Sequence, residues 1–210
     1  MPRQNRVTPF STLIATPARG TLTGNRGCLH DEHGQIRRSY QGQRWIICLL
    51  EFKGRRRAIM QPGHYTELFF LDEATALAAG HRPCAECQRD RFNLFRECWV
   101  KGNPELTDAA RPAATAIDAI LHHERTAIAV ESRGLGHLIG DLPDGIFVTN
   151  DKVSAYLVFA RRLWQWKSDG YQPAAADIVD SLMRVLTPAS IVRALSAGYP
   201  VYIHPSAWQA

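Results

Sequence analysis

The stretch YTELFFLDEATALAAGHRPCAECQRDRF, residues 65–92, decides more of the fold than any other part of the chain. It opens on an aromatic, apolar run, YTELFFL, which predicts a strand. Asp72 then stands where a helix N-cap belongs, ahead of EATALAAG, and Gly80 suits the position after the helix, where the backbone turns left-handed. Behind that glycine, HRPCAEC sets Cys84 and Cys87 two residues apart in a turn begun by proline. Phe92, Phe95 and Trp99 follow at helical spacing. Strand, short helix, cysteine knuckle and second helix predict an α+β chain.

Upstream, RWIICLLEFKG (44–54) predicts a buried strand antiparallel to the one ending at Phe70, and the first thirty residues, broken by Pro, Gly and Asn, predict loops. Downstream, GNPELTDAARP (102–112) suggests a boundary between an amino-terminal part, 1–104, and a carboxyl-terminal α+β part, 105–210. In the second part we expect a helix over 113–125 and a β-meander from GDLPDGIFV through AYLVFARRLWQWKSDGY. Thr187 and Pro188 should open a helix that Gly198 closes, and YPVYIHP should form a last strand.

The 210 residues are 45% apolar and 21% charged, as in soluble globular proteins. No apolar run reaches the roughly eighteen residues of a membrane span, and MPRQNRVTPFSTL lacks the apolar stretch of a secretory signal. The expected location is therefore cytoplasmic, with no membrane partner, where five scattered cysteines stay reduced. Residues 1–101 carry 16 Lys+Arg against 9 Asp+Glu, a net of +7, and the rest carries 9 against 11. Fourteen of those first sixteen cations are arginines, whose planar fork suits phosphate, so a nucleic-acid partner is expected.

A C-x-x-C in a Gly/Pro turn turns two thiolates to one side and supplies half of a tetrahedral zinc site. Arg82 and the amides of the turn would favour thiolate. A redox pair is the alternative, although it belongs at a helix start after a strand, and free thiols are a third. Residues 65–92 also resemble the zinc-binding domain at the amino terminus of Ada-type DNA alkylation-repair proteins. FFLDEATALAAGHRPCAEC follows that family's order, with His81 where an aromatic is usual. The resemblance implies that Cys84 and Cys87 bind Zn²⁺ and that the surrounding part touches DNA. The family's upstream Cys-x-x-x-Cys pair is missing, so its methyl-transfer chemistry is not implied.

The other two ligands expected are Cys28 and His30 of GNRGCLHDEH, with Cys48 and His64 as rivals; Cys98 reads as core. A closed four-ligand site of this kind would be structural. Arg26, Arg37, Arg38, Arg55, Arg56 and Arg57 are the candidate phosphate contacts. In the second part, His122 and Glu124 of LHHER and His137 of GLGHLIGDLPDG offer a hydrolytic alternative, against the simpler reading of a helix end with favourable cations and ordinary turns. Trp164 and Trp166 would stack bases or, more simply, pack between the two parts. No Walker loop, G-x-S-x-G, HExxH or dinucleotide fingerprint occurs. A zinc-stapled protein-interaction module is the third reading.

Overall fold

A computed structural model describes residues 1–54, 58–127, 142–175 and 183–208, and among these residues the chain forms two sheets and four α-helices. The first sheet takes β1 (Gln4–Val7), β2 (Leu13–Ala15), β3 (Leu22–Asn25), β4 (Ile46–Cys48), β5 (Leu68–Phe70) and β6 (Arg82–Pro83), in the order β2-β1-β5-β3-β4-β6. Three of these strands lie in the segment expected to be loop. Each has three or four residues, too few to show a hydrophobic period; β1 and β3 are held by pairing with β5, and β2 by pairing with β1.

β3 separates the two strands that the sequence suggested as neighbours: it pairs antiparallel with β4 on one side and with β5 on the other. Gly24 permits this, since a Cβ there would sit 2.1 Å from the Ile46 carbonyl oxygen and 2.9 Å from the Phe70 ring. The long apolar run of the sequence shrinks to Ile46–Cys48, because Leu49 and Leu50 turn outward and are exposed.

The helix α1 (Glu73–Ala78) forms as predicted. Asp72 Oδ1 accepts from the Thr75 amide at 2.8 Å, and Gly80, at φ +82°, closes the helix. Its amide reaches the Leu77 carbonyl at 2.9 Å and that of His81 reaches Ala76 at 3.0 Å, a Schellman pair. Next come α2 (Arg89–Gly102) and α3 (Ala114–Ala127). The second sheet, β7 (Phe147–Thr149), β8 (Tyr156–Phe159), β9 (Arg162–Lys167), β10 (Gly170–Pro173) and β11 (Arg184–Val185), is the expected meander with β11 added beside β7.

α4 (Ala189–Ser196) starts differently from expectation. Thr187 Oγ1 accepts from the Phe147 amide, and Glu124 of α3 covers the helix start by taking the Ser190 amide at 3.0 Å and its hydroxyl at 2.6 Å. YPVYIHP is extended without being paired as a strand, and a 3₁₀ turn over Pro205–Trp208 follows.

One apolar core runs through Leu68, Phe95, Trp99, Ile117, Ile146 and Tyr199, taking side chains from both sides of residue 104. Polar ties cross the same line. The buried Asp72 carboxylate accepts from the Tyr171 hydroxyl at 2.7 Å and the His204 amide at 2.9 Å. Glu73, equally buried, takes the Tyr199 hydroxyl, the Tyr202 amide and Arg91. These carboxylates fix the knuckle-bearing segment to the end of the chain.

Candidate metal centre

β4 and β6 run parallel, with Ile46 opposite Arg82 and Ile47 opposite Pro83. One residue further along both strands, Cys48 and Cys84 come side by side, and the Cys84 amide donates to the Ile47 carbonyl at 2.9 Å. The turn after β6 returns Cys87 to the same place. The sulfurs of Cys48, Cys84 and Cys87 all lie within 4.8 Å of one another. Tetrahedral zinc with sulfur at about 2.3 Å separates its ligands by roughly 3.8 Å, so the three fit one small, soft cation.

The backbone is arranged for thiolate. The Glu86 amide donates to Cys84 Sγ at 3.4 Å, the Cys87 amide points to the same sulfur, and the Leu49 amide serves Cys87. Hydrogen bonds from Cys48 and Cys87 hold the Cys84 thiol far below its ordinary range, while the neighbouring sulfurs push Cys48 up. A divalent ion at this point would relieve the mutual repulsion of thiolates crowded so closely. Gln88 locks the turn, its side-chain amide donating to the Ile47 carbonyl at 2.9 Å.

Arg82 has a different task from the one expected. It makes a bidentate pair with Asp118 of α3, at 2.9 and 2.7 Å, donates to the Pro83 carbonyl and lies over the Phe92 ring. Its charge is spent on that carboxylate, and the amides do the work at the sulfurs. His81 is fully buried between the rings of Trp45 and Phe70, and burial followed by the charges of Arg26 and Arg125 drives its pKa well down. It packs there as a neutral ring.

Two of the four expected ligands are brought together, and two are not. Cys28 Sγ instead contacts the His30 carbonyl at 3.6 Å. Both His30 ring nitrogens are engaged, Nδ1 with Thr66 Oγ1 at 2.6 Å and Nε2 with the Gln61 carbonyl at 3.1 Å. Their place is taken by Cys48, whose signal was the register of two parallel strands far apart in sequence. His64 also stays outside the group, and Cys98 is in the core, as expected.

Among the arginines, Arg26 is a correction. It is 1% exposed, donates to Ser11 and stacks on Trp45, so it cannot meet a phosphate. Arg37 pairs with Asp31 at 2.7 Å yet stays largely exposed, and Arg38 is exposed. Arg55, Arg56 and Arg57 lie outside the described residues, as does His137. The hydrolytic pair does not form: His122 Nδ1 faces Arg125, and both Glu124 oxygens serve Ser190. Trp164 is buried in a cluster with Leu71, Ala74 and Phe147, the packing reading. Among the described residues no helix is long and apolar enough to cross a membrane.

The fold and site together define an α+β chain with a tri-cysteine knuckle compatible with a metal ion. Compared with known proteins, the chain matches no family model, no curated protein and no solved structure.

Proposed function

We propose that this chain is a zinc-binding protein whose metal joins β4 to the knuckle, and whose basic amino-terminal part contacts nucleic acid. The observation that carries the metal is the convergence of three sulfurs with backbone amides aimed at them. Zinc suits a soft thiolate set better than magnesium or calcium, which take oxygen ligands. The Ada-type resemblance of residues 65–92 belongs to the same proposal.

The nucleic-acid part rests on charge. The loop from Arg37 to Arg44 is exposed throughout and carries Arg37, Arg38 and Arg44 around Tyr40, an aromatic ring that is 40% exposed. Arginines beside an accessible ring suit a phosphate backbone and its bases.

Elemental analysis of the purified chain tests the metal. We expect one zinc per chain, lost in Cys48→Ser, Cys84→Ser and Cys87→Ser and kept in Cys28→Ser; full metal in Cys48→Ser would refute the ligand set. Binding of labelled DNA and RNA across a salt series tests the partner. Arg38→Ala and Arg44→Ala should each flatten the dependence of log affinity on log salt by about 1. No affinity at low salt would exclude it.

A further inference from the structure

The tri-cysteine group has a property beyond zinc binding, and the following rests on that reading. All five cysteines are described, and they divide cleanly: Cys48, Cys84 and Cys87 converge, Cys28 contacts the His30 carbonyl, and Cys98 packs in the core from α2. The chain therefore brings three sulfurs to the ion. Among the described residues no histidine or carboxylate joins them. A zinc site closed by four protein donors is inert, whereas three donors leave a position to be filled from outside.

The surroundings indicate what fills it. Cys48 and Cys87 are partly exposed, so the group lies open to solvent. Directly after Cys48 come Leu49 and Leu50, 39% and 50% exposed, apolar residues at the chain step next to the sulfurs, with the Leu49 amide itself serving Cys87. Three thiolates favour a further soft donor over an oxygen. Added negative charge is tolerated because the Leu49, Glu86 and Cys87 amides already point at sulfur and because this part of the chain carries a net +7 over residues 1–101.

We infer that Cys48, Cys84 and Cys87 form an open tri-thiolate site that takes a small thiol as its fourth donor, with the thiol's alkyl group against Leu49 and Leu50. On binding, the thiol's proton passes to buffer, a water leaves the ion and a sulfur–metal bond forms. No electron changes hands.

Cobalt(II)-substituted full-length protein, titrated with 2-mercaptoethanol, tests this. Before thiol is added, the sulfur-to-cobalt absorption should have three-sulfur intensity; saturation should raise it by about a third, as the sulfur donors go from three to four. Leu50→Glu should keep the cobalt and require severalfold more thiol, and a Cys28→Ser, Cys98→Ser double variant should titrate like the parent. Four-sulfur intensity before titration, or a three-sulfur spectrum that thiol leaves unmoved, would overturn the open site. Absence of stoichiometric cobalt would instead refute the underlying metal reading, and the open site with it.

Discussion

His81 and Gly80 display how single positions carry this knuckle. His81 stays neutral because it is buried and faces Arg26 and Arg125, so its folded pKa lies below the ordinary 6.5 of the unfolded chain. Below about pH 6.5 the unfolded state binds a proton that the folded state refuses, and stability falls as pH falls, by up to about 1.4 kcal/mol per pH unit. His81→Phe, aromatic like the surrounding rings, should therefore lose less melting temperature between pH 7 and pH 5 than the parent; equal losses would mean that His81 takes up a proton while folded. Gly80→Ala meets two penalties, a left-handed backbone and a Cβ 2.9 Å from the Arg125 Cδ. Denaturant titration should register a cost of about 1–2 kcal/mol. Arg82→Ala should cost more, about 3–5 kcal/mol, because it leaves the Asp118 carboxylate, 4% exposed, without its cation.

The elements differ in how far the sequence announces them. α1 is fully legible, since Asp72 and Gly80 bracket it with the residues that helix ends require. The meander is legible too, because its strands alternate with turns. β1, β2 and β3 are not: β1 and β3 pair with β5, Arg6 with Phe69 and Leu22 with Phe70, and the three-residue β2 is held at the edge by β1. The metal centre was half legible for the same reason. Cys84 and Cys87 share a turn, but Cys48 joins them through the β4–β6 register, which local spacing does not encode. The cap of α4 is likewise borrowed from another helix. Glu124→Ala should remove about 1 kcal/mol by freeing the Ser190 amide, and the loss should vanish in a Ser190→Ala background only as far as the hydroxyl contributes.

At the scale of the molecule, a metal at the sulfurs would join a strand of the first sheet to the turn that leads into α2. Chelation should then lower the melting temperature of the whole chain rather than loosen one loop, because the knuckle and the shared core adjoin. A melting curve unchanged by chelator would separate the ion from the fold. The same reach applies at the other end of the chain. From that end, Tyr199, Tyr202 and His204 donate to the buried carboxyls of Asp72 and Glu73, beside Thr75 and Tyr171 on Asp72 and Arg91 on Glu73. Trimming back to Gly198 would remove the His204 amide from Asp72 and the Tyr199 hydroxyl and Tyr202 amide from Glu73, leaving each buried carboxyl short of donors. Residues 199–204 thus act as a clasp on the segment that carries Cys84 and Cys87, more than a hundred positions earlier.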